Sequence, residues 1–379
     1  MGATGYFRFE SFAGRSWFVT PEGHPFISIG LNHISSFTLR RPDKLDDFLA
    51  RFGGEERWIR EAVVPDLKDW GFNTIGWTQE IALRYPPQDP FKRFDPPDPR
   101  RGWGERFSLL HDRPWEQERY AWADMPYCHV LNIVAQAYYY DGSVSGLGEG
   151  PHYPDVFSSW FEDHCDHIAR SYAATMRDDP NLVGYFLADV PDWSGEVHGR
   201  HWTRQPDGTP HPDAQERLAA IAERYFSVAC GAIRRYDPNH LILGDRLLGG
   251  RDLPHCVLHA MRPHVDVLSV QFGGDFAAEE PQLAEWQAVC GKPILLCDAV
   301  MPPQYYDPPR QKHRGEAYKR YLSAALANDS IIGVHFCGAY LEAEPRGWGV
   351  RDTDGVADPD LVAAFREAHT AVWDIVGKS

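Results

Sequence analysis

The sequence lacks the features that mark several large classes of protein. It has no run of about 18 apolar residues, so no membrane-spanning helix is predicted. It has no Cys-x-x-Cys pair, and its seven cysteines are an odd number, which speaks against a zinc ribbon or a disulfide framework. Several of the cysteines lie inside apolar runs, where cysteine behaves as a small hydrophobic residue. We therefore expect free thiols and a reducing, cytoplasmic setting.

Positive charge is also scarce. Lys and Arg total 38 against 54 Asp and Glu, which gives a net charge of −16. An acidic surface repels phosphate groups, so neither nucleic acid nor an anionic membrane is an expected partner. The first residues, MGATGYFRFESFAGRSWF, show no charged segment followed by an apolar one, so no secretory signal is predicted. The expected partner is a small molecule or an oligosaccharide, and a homo-oligomer remains an open alternative.

The sequence repeats one unit, an apolar strand followed by a helical stretch, which is typical of parallel βα folds. No Gly-x-Gly-x-x-Gly or P-loop sequence follows a strand, so a nucleotide-binding sheet is not favoured. Eight repeats in 379 residues predict a closed (β/α)₈ TIM barrel of the α/β class. The predicted strands are Phe26–Leu31, Thr74–Trp77, Val130–Ala135, Leu182–Leu187, Leu241–Gly244, Val265–Val270, Pro293–Cys297 and Ile332–Phe336.

Other segments are expected to surround this barrel, and the whole chain, 1–379, is predicted to form a single catalytic domain. Residues 1–24 predict an N-terminal β-hairpin, because Phe7 and Phe9 alternate with polar residues before a glycine turn. The connection 79–129 is long and rich in proline, charge and aromatic residues, and a second insertion covers 191–212. Both connections begin at the C-terminal ends of strands. We therefore expect them to cover the catalytic face.

Polar and aromatic residues follow the C-terminal ends of the predicted strands, where barrels of this kind carry their active sites. Two carboxylates that face each other across a cleft are what glycosidic cleavage needs. Indole and phenol rings can pack against the apolar faces of sugars. The candidate site residues are Asn32, His33, Trp77, Gln136, Tyr138, Asp189, Asp192, Asp245, Arg246, Gln271, Asp298 and His335.

Several stretches of the chain resemble agarase-like glycoside hydrolases, which are retaining (β/α)₈ enzymes of clan A. The start, WFVTPEGHPFISIGLNHI, resembles the beginning of that family, and DLKDWGFNTIGWT resembles its second βα unit. The stretches YPDVFSSWF and NLVGYFLADVPDW resemble the approach to strand four, HLILGDRLLGG strand five, and KPILLCD strand seven. GWGVRDTDGVADPDLVAAFREAH resembles the C-terminal segment. The matches occur in order along most of the chain.

The chain departs from the family at the catalytic positions. The resemblance implies an Asn-Glu pair after strand four, with Glu as the acid/base, but Asp189 and Val190 occupy these positions. The family's nucleophilic Glu after strand seven corresponds to Asp298. Each change from Glu to Asp retracts a carboxylate by roughly 1.5 Å. Two such changes widen the gap from the retaining range of about 5–5.5 Å toward the inverting range of about 6.5–9.5 Å.

We therefore predict an exo-acting glycoside hydrolase that acts on an oligosaccharide or glycoside by a route other than the family's double displacement. Asp298 is assigned as nucleophile or general base, and Asp189, or failing that Asp192, as general acid. A third alternative for the acid is Glu196, on the second insertion. The other candidates are assigned to sugar binding, although Arg246 is favoured to pair with Asp245 and His335 is equally consistent with a satisfied core position.

Three other interpretations remain open. The carboxylates and histidines at the strand ends could converge on a metal ion, but no His-x-His or His-x-x-x-His lies at a strand end, so neither metal nor cofactor is expected. A sugar lyase or isomerase on the same barrel would use Asp and His for proton abstraction. A carbohydrate-binding pseudoenzyme would explain the missing Asn-Glu pair.

Overall fold

The computed structural model describes residues 2–84, 108–134, 154–191, 193, 209, 211–342 and 348–377. Eight parallel strands close into a barrel with helices between them, which confirms the predicted TIM-barrel fold. Around the barrel the strands follow the order β10-β11-β12-β13-β4-β5-β8-β9. Their bounds are β4 Ser28–Leu31, β5 Thr74–Ile75, β8 Tyr127–Val130, β9 Leu182–Asp189, β10 Leu241–Leu248, β11 Leu268–Phe272, β12 Ile294–Val300 and β13 Ile331–Cys337.

A separate antiparallel sheet precedes the barrel in the chain, and its first two strands are the predicted N-terminal hairpin. It contains β1 Arg8–Phe12, β2 Arg15–Val19 and a third strand, β3 Pro25–Phe26. The prediction that Phe26–Leu31 forms a single barrel strand is wrong at its start, because Phe26 pairs with Phe18 in this sheet. The barrel strand begins only at Ser28. The apolar run is continuous through both strands, so hydrophobicity alone could not place the break.

Helices flank the barrel strands. Their bounds are α1 Leu45–Phe52, α2 Glu55–Trp58, α3 Val64–Trp70, α4 Gln117–Ala123, α5 Ser159–Ser171, α6 Ala173–Met176, α7 Ala214–Tyr236, α8 His255–Met261, α9 Phe276–Cys290, α10 Arg310–Leu326, α11 Pro359–Thr370 and α12 Val372–Val376. A π-helical turn, Ile59–Val63, joins α2 to α3. Three-residue and four-residue 3₁₀ turns occur at Pro303–Tyr305 and Phe37–Arg40. Within the described residues, no helix is long and apolar enough to cross a membrane.

Sequence spacing explains why the helices pack as they do. In α7 the buried residues Leu218, Ala222 and Tyr225 recur every three to four positions, which places them on one helix face. Ser158 caps the N-terminus of helix α5, because its hydroxyl accepts a hydrogen bond from the Phe161 amide at 3.2 Å. The apolar faces of the helices and the outer faces of the strands form one large buried cluster around the barrel.

A second buried cluster fills the inside of the barrel. It contains strand residues such as Leu243 and Leu295, and it also contains Phe7 and Phe18 of the N-terminal sheet. Trp77, which follows β5, belongs to the same cluster. The N-terminal sheet therefore contributes side chains to the barrel interior. The polar residues of the strand ends lie above this apolar filling.

The connection after β5 begins and ends with paired strands. β6 Gln79–Arg84 and β7 Ser108–Pro114 form an antiparallel two-stranded sheet. Directly after it, Trp115 is buried and its indole Nε1 donates to the Ile34 carbonyl at 3.0 Å. This bond ties the end of the connection to the segment that follows β4.

Candidate active site

The candidate site is built at the C-terminal ends of six barrel strands, β4, β5, β9, β10, β11 and β12. The structure brings together seven of the predicted residues at one end of the barrel interior: Asn32, His33, Trp77, Asp189, Arg246, Gln271 and Asp298. Asp192, Gln136 and Tyr138 lie outside the described residues. Glu196, the alternative acid, also lies outside them.

Arg246 is the centre of this group. Its guanidinium donates from Nη1 to Asp189 Oδ1 at 2.5 Å, and its Nη2 lies 3.3 Å from Asp298 Oδ2. Nη2 also donates to the Cys297 carbonyl at 3.2 Å. Arg246 is completely buried. Burial lowers the pKa of its guanidinium, but the two aspartates raise it on balance, so Arg246 carries a positive charge between two carboxyl groups.

Asp189 is the most accessible member of the ion-pair group. Its side chain is 18% exposed, whereas that of Asp298 is 6% exposed. Asp189 Oδ1 accepts from Arg246 and also from Gln271 Nε2, at 2.7 Å. Asp189 therefore accepts two hydrogen bonds, from Arg246 and Gln271, at the edge of the site that is nearer to solvent.

The next residue, Val190, has a backbone φ of 44°. A β-branched side chain rarely adopts this left-handed region, which costs about 1–3 kcal/mol. The Val190 amide donates to the Arg246 carbonyl at 3.1 Å, and this bond fixes the turn. The strained turn follows directly on Asp189, the last residue of strand β9.

Asp298 is held more deeply. Its Oδ1 accepts from Asn32 Nδ2 at 2.8 Å, and the Cys337 thiol also hydrogen-bonds to its side chain. Burial raises the pKa of Asp298 above its ordinary value, although Arg246, Cys337 and Asn32 oppose that rise. A carboxylate with a raised pKa is a stronger base than one in water.

Asn32 is positioned by its neighbours on three strands. Its Nδ2 donates to both Asp298 and the Cys297 carbonyl, and its Oδ1 accepts from the Trp77 amide at 2.8 Å. Gly76 leaves the space for this contact, since a Cβ there would lie 2.0 Å from Asn32 Oδ1. The amide of Asn32 is thus fully committed to orienting Asp298.

Trp77 lies beneath the guanidinium. The Arg246 Cζ is 4.1 Å from the centre of its ring, a cation–π distance, and the His33 ring meets its edge at 4.6 Å. The Trp77 side chain is buried. It supports the charged group from below, and the face in contact with Arg246 is not open to a sugar.

His335 is inside the barrel, one layer further from the mouth. Its Nε2 is 2.8 Å from the Ser28 hydroxyl, and Gly30 makes room for the ring. Burial, together with the charge of Arg246, lowers its pKa to about 3. His335 is therefore neutral at physiological pH. Its surroundings correspond to the core position that the sequence left open as an alternative to sugar binding.

Asp245 is separate from the rest. Its oxygens accept from Tyr225 Oη at 2.9 Å and Trp193 Nε1 at 3.0 Å, on the outer side of the strand facing helix α7. The favoured pairing of Arg246 with Asp245 is therefore wrong, because consecutive strand residues point to opposite faces. Arg246 points into the barrel and pairs with Asp189 and Asp298 instead.

One residue of this group was missed by the sequence analysis. Cys337 ends strand β13, and its sulfur lies with a ring nitrogen of His33 and an oxygen of Asp298 within 4.8 Å of one another. The rule that picked the other candidates, a polar residue at a strand end, would have found it. Its position in an apolar run made it look like a core cysteine.

The arrangement of the group is informative for chemistry. Asp189 from strand β9 and Asp298 from strand β12 approach the same guanidinium. Two carboxyl groups on the fourth and seventh strands of a barrel, in unequal environments, are suited to proton transfer and to stabilising a developing positive charge. Both aspartates ionised would leave this group with a net negative charge.

The chain resembles known proteins in its fold. No protein-family model and no curated protein matches the sequence. Solved structures do match. An agarase superposes with a TM-score of 0.69 at 18% identity over 99% of this chain and 64% of the agarase, and an exo-beta-agarase with 0.74 at 17% over 100% and 67%. A beta-D-glucuronidase from Dictyoglomus thermophilum reaches 0.53 at 14% over 96% and 53%.

The chain shares the fold of the agarases. The predicted resemblance to agarase-like glycoside hydrolases is thus confirmed at the level of the fold. The chain spans about two thirds of the length of the two agarases and about half the length of the glucuronidase. Sequence identities below 20% show that the fold is shared and do not assign residue roles. The catalytic residues must be argued from the site itself.

Proposed function

We propose that this protein is a glycoside hydrolase that acts on an oligosaccharide or glycoside. The observation that carries the proposal is the meeting of Asp189 and Asp298, from the fourth and seventh barrel strands, at the guanidinium of Arg246. The shared fold with agarases supports it, because those proteins are named for hydrolysing a polysaccharide. A substrate without negative charge fits the net charge of −16.

The two aspartates take different roles in this proposal. Asp298 is the nucleophile or general base, because burial raises its pKa while Asn32 fixes its orientation. Asp189 stands nearer to solvent and serves as the general acid, with Asp192 as the alternative donor. In this role Asp189 gives up its bond to Arg246 when the sugar binds and takes up a proton from solvent, which it then donates to the leaving oxygen. Gln271, which donates to Asp189, moves with it or contacts the sugar.

The shape of the site suggests a short substrate. Strand β6 begins two residues after Trp77, and the connection that it opens is proposed to wall the cleft, which favours an exo-acting enzyme. Gln271 is proposed to contact the sugar at the accessible edge of the site, and the buried Asn32, His33 and Trp77 support the site from beneath. Because both catalytic residues are aspartates, we propose the inverting route, in which the carboxyl groups admit a water molecule between them.

Hydrolysis of a panel of neutral oligosaccharides tests this proposal. Reducing sugar should be released without an unsaturated product that absorbs in the ultraviolet, which a lyase would form. Proton NMR of the first product should show the inverted anomer. Asp298→Asn should lower kcat by about 10²–10⁴-fold, the usual contribution of an acid/base group. Asp329→Asn, at a half-exposed carboxylate that pairs with Arg15, should leave it unchanged.

A second candidate is a sugar-binding protein without turnover. The specific observation in its favour is the ion pair itself, since Arg246 occupies both aspartates and neutralises one of their charges. In that case oligosaccharides bind to the wild-type protein, no product forms, and Asp298→Asn changes affinity alone. Turnover by the wild type that Asp298→Asn leaves intact would refute both assignments of Asp298.

A further inference from the structure

His33, Asp298 and Cys337 form a compact set of donor atoms next to the ion pair. They lie at the ends of β4, β12 and β13, which are neighbours in the barrel. A ring nitrogen, a carboxylate oxygen and the Cys337 sulfur all lie within 4.8 Å of one another. All three side chains are buried.

The chemistry of this set matches one class of ligand. Imidazole, thiolate and carboxylate are the three side-chain donors that Zn²⁺ uses, and sites with three protein ligands leave a fourth position open. Tetrahedral ligands at about 2.0–2.3 Å from an ion stand roughly 3.5 Å apart. An ion would therefore draw the three donor atoms together by up to about 1 Å.

The surroundings also support an ion. The Asn32 amide and the Arg246 guanidinium hold the Asp298 carboxylate, and ligating carboxylates are commonly anchored by such hydrogen bonds. The charge of Arg246 is already countered by Asp189 at 2.5 Å. On binding, the Cys337 thiol loses its proton to solvent and forms the metal–sulfur bond. The two negative ligands then balance a divalent ion.

The backbone holds His33 in place for this role. Its φ is 59°, its amide donates to the Trp77 carbonyl at 2.9 Å, and its own carbonyl accepts from the Tyr340 amide at 3.1 Å. The left-handed conformation costs free energy for an ordinary residue and is found at sites where the surrounding structure fixes it. These two bonds fix it here and present the ring to Asp298 and Cys337.

We propose that His33, Asp298 and Cys337 bind a divalent transition-metal ion of the zinc type. The bound ion inhibits hydrolysis, because it coordinates the Asp298 carboxylate and keeps it from acting as nucleophile or base. The inhibition rests on the proposed function. The binding does not, so the two can be tested separately.

Binding is measured first, with Zn²⁺ and Co²⁺ added to the chelator-treated full chain. Wild type should bind one equivalent, and Co²⁺ should give a thiolate-to-metal absorption band in the near ultraviolet. Cys337→Ser should abolish this band. His33→Asn, which tolerates the left-handed backbone, should weaken binding at least about tenfold, the loss that removing a ligand's hydrogen-bond partner already causes. Unfolding curves establish that both variants are folded.

The control is Cys256→Ser, because Cys256 is the only partly exposed thiol among the seven cysteines, none of which forms a disulfide bond. The loss of this thiol should leave the one bound equivalent of metal and the Co²⁺ absorption band unchanged. The ligands are buried, so the titration is repeated after refolding with the metal present. The site is refuted if wild type binds no equivalent under either condition, if Cys337→Ser retains it, or if Cys256→Ser loses it.

Activity is measured second. Zn²⁺ should inhibit wild-type hydrolysis at the concentrations that fill the site, and Cys337→Ser should lose that inhibition. A filled site without inhibition would refute the inhibitory role and leave the metal site standing. A protein that binds metal but hydrolyses no glycoside would count against the proposed function alone.

Discussion

Asp245 is a carboxyl group that is completely enclosed by protein, and both of its described donors, Trp193 and Tyr225, are neutral. Burial raises its pKa to about 7, although the two hydrogen bonds oppose the rise. In the unfolded chain the pKa returns to its ordinary value near 4. The folded state therefore binds this proton more tightly. Stability from this group is full below pH 4 and is lost as the pH rises through 7.

Asp245→Asn removes this titration. Its unfolding free energy should exceed that of wild type above pH 7 by up to about 4 kcal/mol, because the folded and unfolded pKa values differ by about three units and each unit corresponds to about 1.4 kcal/mol. The difference should shrink as the pH falls toward 4. Urea unfolding at a series of pH values measures it.

The matched control is Asp237→Asn, another completely buried aspartate. Burial raises the pKa of Asp237, but hydrogen bonds from His240 and Tyr185 lower it on balance. Its contribution to stability is therefore lost as the pH falls through the folded pKa, so the variant should differ from wild type most above pH 4. There it should be the less stable protein. A flat difference for Asp245→Asn between pH 5 and 8 would contradict the burial argument.

At the scale of single elements, the decisive feature is a bulge in β10. Leu241 and Leu243 face the barrel interior, so strict alternation would turn Asp245 inward and Arg246 outward. The register shifts at Gly244 reverse that order. Gly244 has a φ of 75°, a conformation that glycine adopts without strain.

This bulge sets the limit of what the sequence could reveal. The barrel, the importance of strand ends and most strand positions follow from hydrophobic repeats. The predicted strand Val130–Ala135 is wrong, because the strand lies at Tyr127–Val130, earlier in the same mostly apolar stretch. The identity of the inward-facing residue depends on the local register shifts between β9 and β10 around Gly244, which the pattern LILGDRLL does not display. The same holds for the Arg246 ion pair, which joins residues 57 positions apart in the chain. The sequence therefore predicted the members of the site better than their partners.

Gly244→Ala tests the bulge. A Cβ there would meet Val265 and Val267 at 3.4 Å, an ordinary contact, so the cost is the left-handed backbone, about 1–2 kcal/mol. Gly14→Ala is the matched control, because Gly14 has a φ of 82° and open space around it in the N-terminal hairpin. Both should lose similar stability in urea unfolding. Only Gly244→Ala should also weaken oligosaccharide binding, by shifting Arg246. Equal binding by the two variants would show that the bulge does not position the site.

At the scale of the whole molecule, the barrel and the N-terminal sheet share one interior. Phe7 and Phe18 belong to the same buried cluster as Leu243, Leu295 and Trp77. Side chains from the sheet therefore fill space that the barrel strands leave open. The sheet should not be able to detach without exposing this cluster, so sheet and barrel should unfold together.

Phe18→Ala tests that coupling. Phe18 is fully buried, and its truncation should cost about 3–5 kcal/mol, because the loss combines transfer to water with an internal cavity. Phe157→Ala makes the same change at a side chain that is 60% exposed, and surface changes usually stay within about 0.5 kcal/mol. Urea unfolding followed by far-UV and near-UV circular dichroism should show one transition for each protein, shifted only in Phe18→Ala. An early separate phase in Phe18→Ala, with the main transition unmoved, would mean that the sheet is an independent appendage and that the barrel fills its interior without it.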